Sequence, residues 1–150
     1  DDIKALEICT EILTSALLRA DAQKAIQQSL SVNKAIIEST AEGILVTDLN
    51  DNIITYNNTF KEMWLLPDEA LPLEKASVTF RYALENVENA EEMRSKVREA
   101  IIDQEQPILV TAFIKNKRVI ECISKPQVIE GKVVGRVWSN RDITNRIMAE

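Results

Sequence analysis

The sequence predicts an α+β fold in which one long helix leads into an antiparallel sheet of five short strands interrupted by a helical middle. Three observations predict it. The opening block, Ile3 to about Glu38, has no Pro or Gly and is rich in Ala, Leu, Gln, Lys and Glu, which are good helix formers. From Gly43 the helical period gives way to short β-branched runs. In the last third, two β-type runs meet across Glu130-Gly131, and the second stops abruptly at Asp142-Ile143-Thr144.

The opening helix carries apolar residues at Leu6, Cys9, Leu13, Ala16 and Ala20, then at Leu30 and Ile37 in the same three-four register. Gln23, Gln27 and Asn33 interrupt that seam. Two readings stay open: a helix lying on its own domain's core, or a parallel dimer contact. The polar breaks also permit two helices with a bend near Asp21.

Ile44 to Leu49 and Ile53 to Tyr56 form a hairpin around Asn50-Asp51-Asn52, with Asn available for positive φ. Asn57-Asn58-Thr59 supplies caps for a short helix that holds Phe60, Met63 and Trp64 and ends before Pro67. Phe80, Ala83, Leu84 and Val87 then share one short helical face. Asn89 with Glu92 reads as a capping box, opening a helix whose apolar stripe is Met93, Val97, Ala100 and Ile101. Strands follow at Ile108 to Ile114, Arg118 to Lys125 and Lys132 to Asn140, with turns at Asn116-Lys117 and Glu130-Gly131.

Size and composition narrow the function. A chain of 150 residues fits one domain plus an accessory element, and 45% hydrophobic with 28% charged residues is ordinary for a soluble protein. No stretch approaches the roughly 18 uninterrupted apolar residues of a membrane helix. The apolar start carries Glu7 and Glu11 without a basic leader, unlike a signal peptide. Lacking an initiator Met, the chain is expected to be a piece of something longer. A net charge of -6 argues against nucleic acid as a partner, since phosphate binding needs clustered Lys and Arg. Cys9 and Cys122 have no metal-ligand spacing and are too few for a disulfide framework, so a cytoplasmic location is expected. The chain has no histidine. That removes Ser-His-Asp and Cys-His nucleophile pairs, an internal phosphoacceptor His and His-ligated haem or zinc. With no paired carboxylates at a cleft, phosphate loop or metal cluster in the pattern, a non-enzymatic role is expected.

Several stretches resemble the PAS sensor family over about Ala35 to Glu150. Ala41-Glu42-Gly43-Ile44-Leu45-Val46-Thr47-Asp48 resembles its first strand, and Ile53-Ile54-Thr55-Tyr56-Asn57 its second strand and following Asn. Glu62-Met63-Trp64-Leu65-Leu66-Pro67 and Gly135-Arg136-Val137-Trp138-Ser139 resemble a bacterial subgroup found before histidine kinase and cyclic-dinucleotide output domains. Asp142-Ile143-Thr144 resembles its exit motif. There are departures: Asn52 stands where Gly is frequent, Asn58 where Pro is common, and Asn145 where the exit usually continues with Glu.

The resemblance implies a five-stranded antiparallel sheet with helices on one face around a small cavity. It divides the chain into a signalling and dimerisation helix at 1–38, the PAS domain at 39–144 and the start of an outgoing helix at 145–150. It implies a sensory module that binds a small ligand or relays a conformational signal to an output domain in the same longer chain. The leading helix would form a homodimer. The alternative is a ligand-free dimerisation scaffold, and a flavin-dependent redox domain is a further one.

No cofactor is identified. A covalent flavin adduct is disfavoured because Phe80 to Gln104 contains no Cys, and Cys122 on a strand reads as a buried small hydrophobe. Haem is disfavoured for want of an axial ligand. Carboxylate sensors of the citrate type use Arg and His clusters, whereas Arg81 stands alone near the expected cavity. Tyr56, Phe60, Trp64, Phe80, Tyr82, Phe113 and Trp138 either line a pocket for a flat or apolar ligand or fill the core. Tyr56 and Trp138 are its polar handles if a ligand binds. In PAS domains the residue matching Asp142 ties the last strand to the outgoing helix, so Asp142, Ile143 and Thr144 are the expected relay, with Thr144 as helix cap. Glu121, Lys125, Arg136 and Arg141 read as solvated or cross-strand pairs.

Overall fold

A computed structural model describes residues 2–149, and its chain divides between Ile36 and Ile37 into two compact units. Glu150 of the expected outgoing stub and the side chain of Leu30 in the apolar seam lie outside the described residues. Among the described residues, no helix is long and apolar enough to cross a membrane.

The first unit is helix α1, Asp2–Ser39, whose last turn enters the second unit. It runs as one helix through Asp21, where a bend was allowed. Gln23, Gln27 and Asn33 break the apolar seam without breaking the helix, since none is a strong helix breaker. Leu6, Cys9, Leu13, Ala16 and Ala20 are exposed on the single chain.

The second unit contains β1 (Gly43–Asp48), β2 (Ile53–Tyr56), α2 (Asn58–Met63), a 3-10 turn at Asp68–Ala70, α3 (Ala76–Leu84), α4 (Ala90–Ile102), β3 (Ile108–Phe113), β4 (Val119–Ile129), β5 (Lys132–Asp142) and α5 (Thr144–Ala149). The strands form one antiparallel sheet in the order β2-β1-β5-β4-β3. Side chains alternate across it as strand geometry demands. Leu45, Val110, Ala112, Ile120, Cys122 and Trp138 face inward and are buried with Phe60, Trp64, Met93, Val97 and Ala100. Leu109 and Phe113 face outward and are exposed.

The central contact is unusually close. A Cβ on Gly135 would lie 2.0 Å from the Thr47 carbonyl oxygen, so only glycine lets β5 approach β1 at this register.

Several local expectations are corrected. The left-handed residue in the first hairpin is Asp51 (φ 68), while Asn52 works through its side chain, donating to Asp48 Oδ2 at 3.0 Å. Asn89 precedes α4 but its side chain accepts from none of that helix's backbone N–H groups; its Nδ2 donates to the Glu92 carboxylate at 3.2 Å. The same amide pairs with β3, accepting from Phe113 N (2.9 Å) and donating to Thr111 O (2.7 Å). β3 is an edge strand, and its open backbone groups outcompete the helix end. Ile101, assigned to the apolar stripe of α4, is 67% exposed. Strand β4 runs past the expected Lys125 to Ile129, up to the turn at Glu130 and Gly131, both at positive φ, and β5 begins at Lys132 as expected but continues past Asn140 to Asp142.

Asn57 joins these pieces. It is fully buried, and its Oδ1 accepts from Ile44 N (2.9 Å) and from Phe60 N (3.0 Å), capping α2. Its Nδ2 donates to Glu42 O (2.8 Å) and Ile37 O (2.5 Å). Replacement by Ala leaves these four backbone groups without their partner in a dry setting. We expect Asn57→Ala to lower unfolding stability by about 3 kcal/mol in urea titration, and a loss below about 1 kcal/mol would remove Asn57 from this role.

Candidate functional site

Two spaces lie in the second unit. The larger is an open cleft of about 810 Å³ between α3, α4 and the β1–β5 part of the sheet. Its walls include Phe80 and Leu84 from α3, Val97, Ala100 and Ile101 from α4, and Thr47, Arg136 and Trp138 from the sheet. That volume falls within the usual range for small-molecule sites. The smaller is an interior void of about 10 Å³ lined by Phe60, Trp64, Phe80, Met93, Cys122, Trp138 and Asn140. It holds no more than about one water.

Four of the seven aromatic residues singled out in the sequence line these spaces. Phe60 and Trp64 line only the void, while Phe80 and Trp138 line both. Their rings meet edge to face, with centroids 4.9 Å apart. Tyr56 and Tyr82 are half-buried and line neither space, and Phe113 lies on the opposite sheet face because alternation along β3 turns it outward. Trp138, expected as a polar handle, donates its Nε1–H to Thr47 Oγ1 at 3.3 Å. Trp64 Nε1 and Asn140 Oδ1 are buried without a partner.

Arg136 is the largest departure from expectation. It is 5% exposed rather than solvated, because it shares the inner face of β5 with Trp138 two residues on. Its Nε donates to Ser124 Oγ (2.8 Å), and its terminal nitrogens donate to Gln104 O (2.9 Å), Gln106 O and Ser124 O (3.3 Å). It thereby gathers carbonyls just past the C-terminus of α4, where a cation is favoured. Burial lowers its pKa below the ordinary value, opposed by Asp103 nearby. The alternation of Arg136 with Trp138 was the available sequence signal for its position.

Arg81 and Arg94 line the same cleft, so Arg81 does not stand alone. Cys122 is far from reactive: burial pushes its thiol up to about 12.

The exit lies at the other end of β5. Asp142 Oδ1 accepts from Thr144 N at 2.9 Å and from the Thr144 hydroxyl, and Arg118 approaches its other oxygen at 3.7 Å. Thr144 Oγ1 in turn accepts from Val119 N (2.9 Å), and Ile143 N donates to Val119 O (2.9 Å). Asp142 thus supplies the acceptor at the start of α5, while Thr144 fastens that start to β4. The cap role expected of Thr144 belongs to Asp142.

Beside this junction, Glu42 accepts from Ser139 Oγ (2.6 Å) and from Arg141 (2.7 Å). The Ser139 hydroxyl first, then the Arg141 guanidinium, hold its carboxyl below the ordinary 4.5. A depressed folded pKa stabilises the fold above the unfolded value, and the contribution is lost as pH falls through the folded value. Wild type is therefore expected to exceed Glu42→Gln in stability at neutral pH and to converge with it in acid. Parallel urea titrations over pH check this, and a constant difference across pH would refute it.

A family profile described as PAS fold matches residues 37–150. No curated protein matches the chain in sequence. Among solved structures, a PAS domain from Colwellia psychrerythraea superposes with a TM-score of 0.51 at 23% identity, covering 78% of this chain and 98% of that one. The PAS domain of Bordetella pertussis BvgS gives 0.57 at 16% identity, covering 81% and 91%. The sensor region of a sensor histidine kinase gives 0.56 at 14% identity over 70% of this chain, which spans only 40% of that region. These structural likenesses bear on the fold. The profile match over most of the chain, together with the sheet order and the exit junction, shows that the protein belongs to the PAS-fold family.

Proposed function

We propose that this chain is the sensory module of a longer signal-transduction protein, taking a small molecule into the cleft and passing the resulting strain through β5 to α5. One observation carries the reading. Arg136 and Trp138 in the cleft and Asp142 at the exit lie on a single strand, so a shift at Trp138 reaches Asp142 within about 13 Å of continuous backbone. An output such as a histidine kinase or a cyclic-dinucleotide enzyme would follow in the same polypeptide. The module binds and relays without turnover, and its unpaired cysteines fit a cytoplasmic setting.

In the full-length protein, Leu84→Trp should block the cleft and Asp142→Ala should loosen the exit. Each is expected to change regulated output activity several-fold while circular dichroism stays native. Output unaffected by either substitution would sink the reading.

The packed interior favours a second reading, a ligand-free scaffold whose task is dimerisation and spacing, since the aromatic core closes on a void of about 10 Å³. Native mass spectrometry separates the two: a mass increment on the purified chain supports sensing, and an empty dimer supports the scaffold.

Both readings use α1 as a parallel homodimer contact along Leu6, Cys9, Leu13, Ala16 and Ala20. Parallel pairing in register sets the two Cys9 thiols together. Mild oxidation should therefore give a reducible dimer that Cys9→Ser abolishes and Cys122→Ser retains. A chain that stays monomeric under oxidation would contradict parallel pairing.

A further inference from the structure

We propose that the cleft recognises a flat apolar molecule bearing an anionic group; this rests on the sensory reading above and names its ligand class. The apolar half follows from the walls: Phe80, Leu84, Val97 and Trp138 offer broad hydrocarbon surface. The anionic half follows from how the charges around the same cleft are paired.

Arg136 is buried at the cleft yet has no carboxylate within ion-pair distance; all its acceptors are neutral oxygens. Such bonds satisfy its N–H groups and leave its charge opposed only by Asp103, which lies beyond ion-pair distance. The Arg81 side chain, exposed on the same rim, has no hydrogen-bond or ion-pair partner among the described residues. Arg94 pairs with Glu91, whose side chain is 90% exposed, and a surface pair of this kind gives way cheaply.

The acids of the rim are mostly occupied. Asp48 accepts from Asn50 N, Asn52 N and Asn52 Nδ2. Asp51 accepts from Ser77 N and Ser77 Oγ. Glu85 is the carboxylate of the cleft with no partner among the described residues. The cleft therefore presents the free side chain of Arg81 and the weakly held one of Arg94, while Asp48 and Asp51 are turned to local caps and Glu85 alone opposes them. An anionic group placed on an aromatic or aliphatic body meets both kinds of surface at once.

The test uses two fluorescent probes that share a ring system and differ by a sulfonate: 1-anilinonaphthalene-8-sulfonate and N-phenyl-1-naphthylamine. Titrated into the intact chain, the sulfonate is expected to bind about tenfold or more tightly than the neutral probe. Arg81→Gln and Arg94→Gln, both at exposed positions where folding should be unaffected, should each weaken the sulfonate by about three- to tenfold and leave the neutral probe unchanged. Glu85→Gln should strengthen the sulfonate. Leu84→Trp should weaken both probes, marking the cleft as their site. Equal affinities for the two probes, or sulfonate binding indifferent to both arginines while Leu84→Trp still weakens both, would overturn the anionic class and leave the cleft reading standing. Binding of neither probe, or binding untouched by Leu84→Trp, would overturn both.

Discussion

The second unit depends on one buried amide. Asn57 uses both lone pairs and both N–H groups, and its four bonds reach the final turn of α1, the entry to β1 and the first turn of α2. A buried amide so fully satisfied fixes geometry more than it adds net energy, because any displacement strands several backbone groups at once. Its backbone N–H also bonds Ile44 O, which holds the end of β2 against β1. From that point Phe60 and Trp64 turn into the core, and the sheet acquires its covered face.

Strand β5 is the second organising element. It lies between β1 and β4, approaches β1 closely through Gly135, and carries Arg136, Trp138, Asn140 and Asp142 at alternate positions. Those four residues meet, in order, the loop after α4, the cleft and Thr47, the Gly43 carbonyl, and the start of α5. Such contacts at every second residue are what the proposed relay along β5 would use. Glu42 adds a second link, since its carboxylate bonds both Ser139 and Arg141 just before the exit.

The buried polar groups have different environments. Cys122 feels burial alone, which moves its thiol further from ionisation. Arg136 is buried with its N–H groups bonded to neutral oxygens, and Asp103 nearby opposes the effect of burial on its charge. The first is inert core; the second places a guanidinium at the cleft that a neutral packing residue could not give it.

The sequence by itself determined the kind and order of the elements. Period changes at Gly43, the Asn57 cap, the glycine turn at 131 and the Asp142-Ile143-Thr144 stop are local signals, readable because backbone propensity and side-chain spacing act over a few residues. The tertiary structure alone decided which groups meet. Asn89 tied a strand edge to the start of its own helix, Asp142 took the N–H at the start of α5 while Thr144 bonded β4, Arg136 turned inward, and only four of the seven aromatic residues came to line the void or the cleft. Each outcome is a competition between partners far apart in sequence, settled by strand register and by the cost of leaving a buried polar group unpaired.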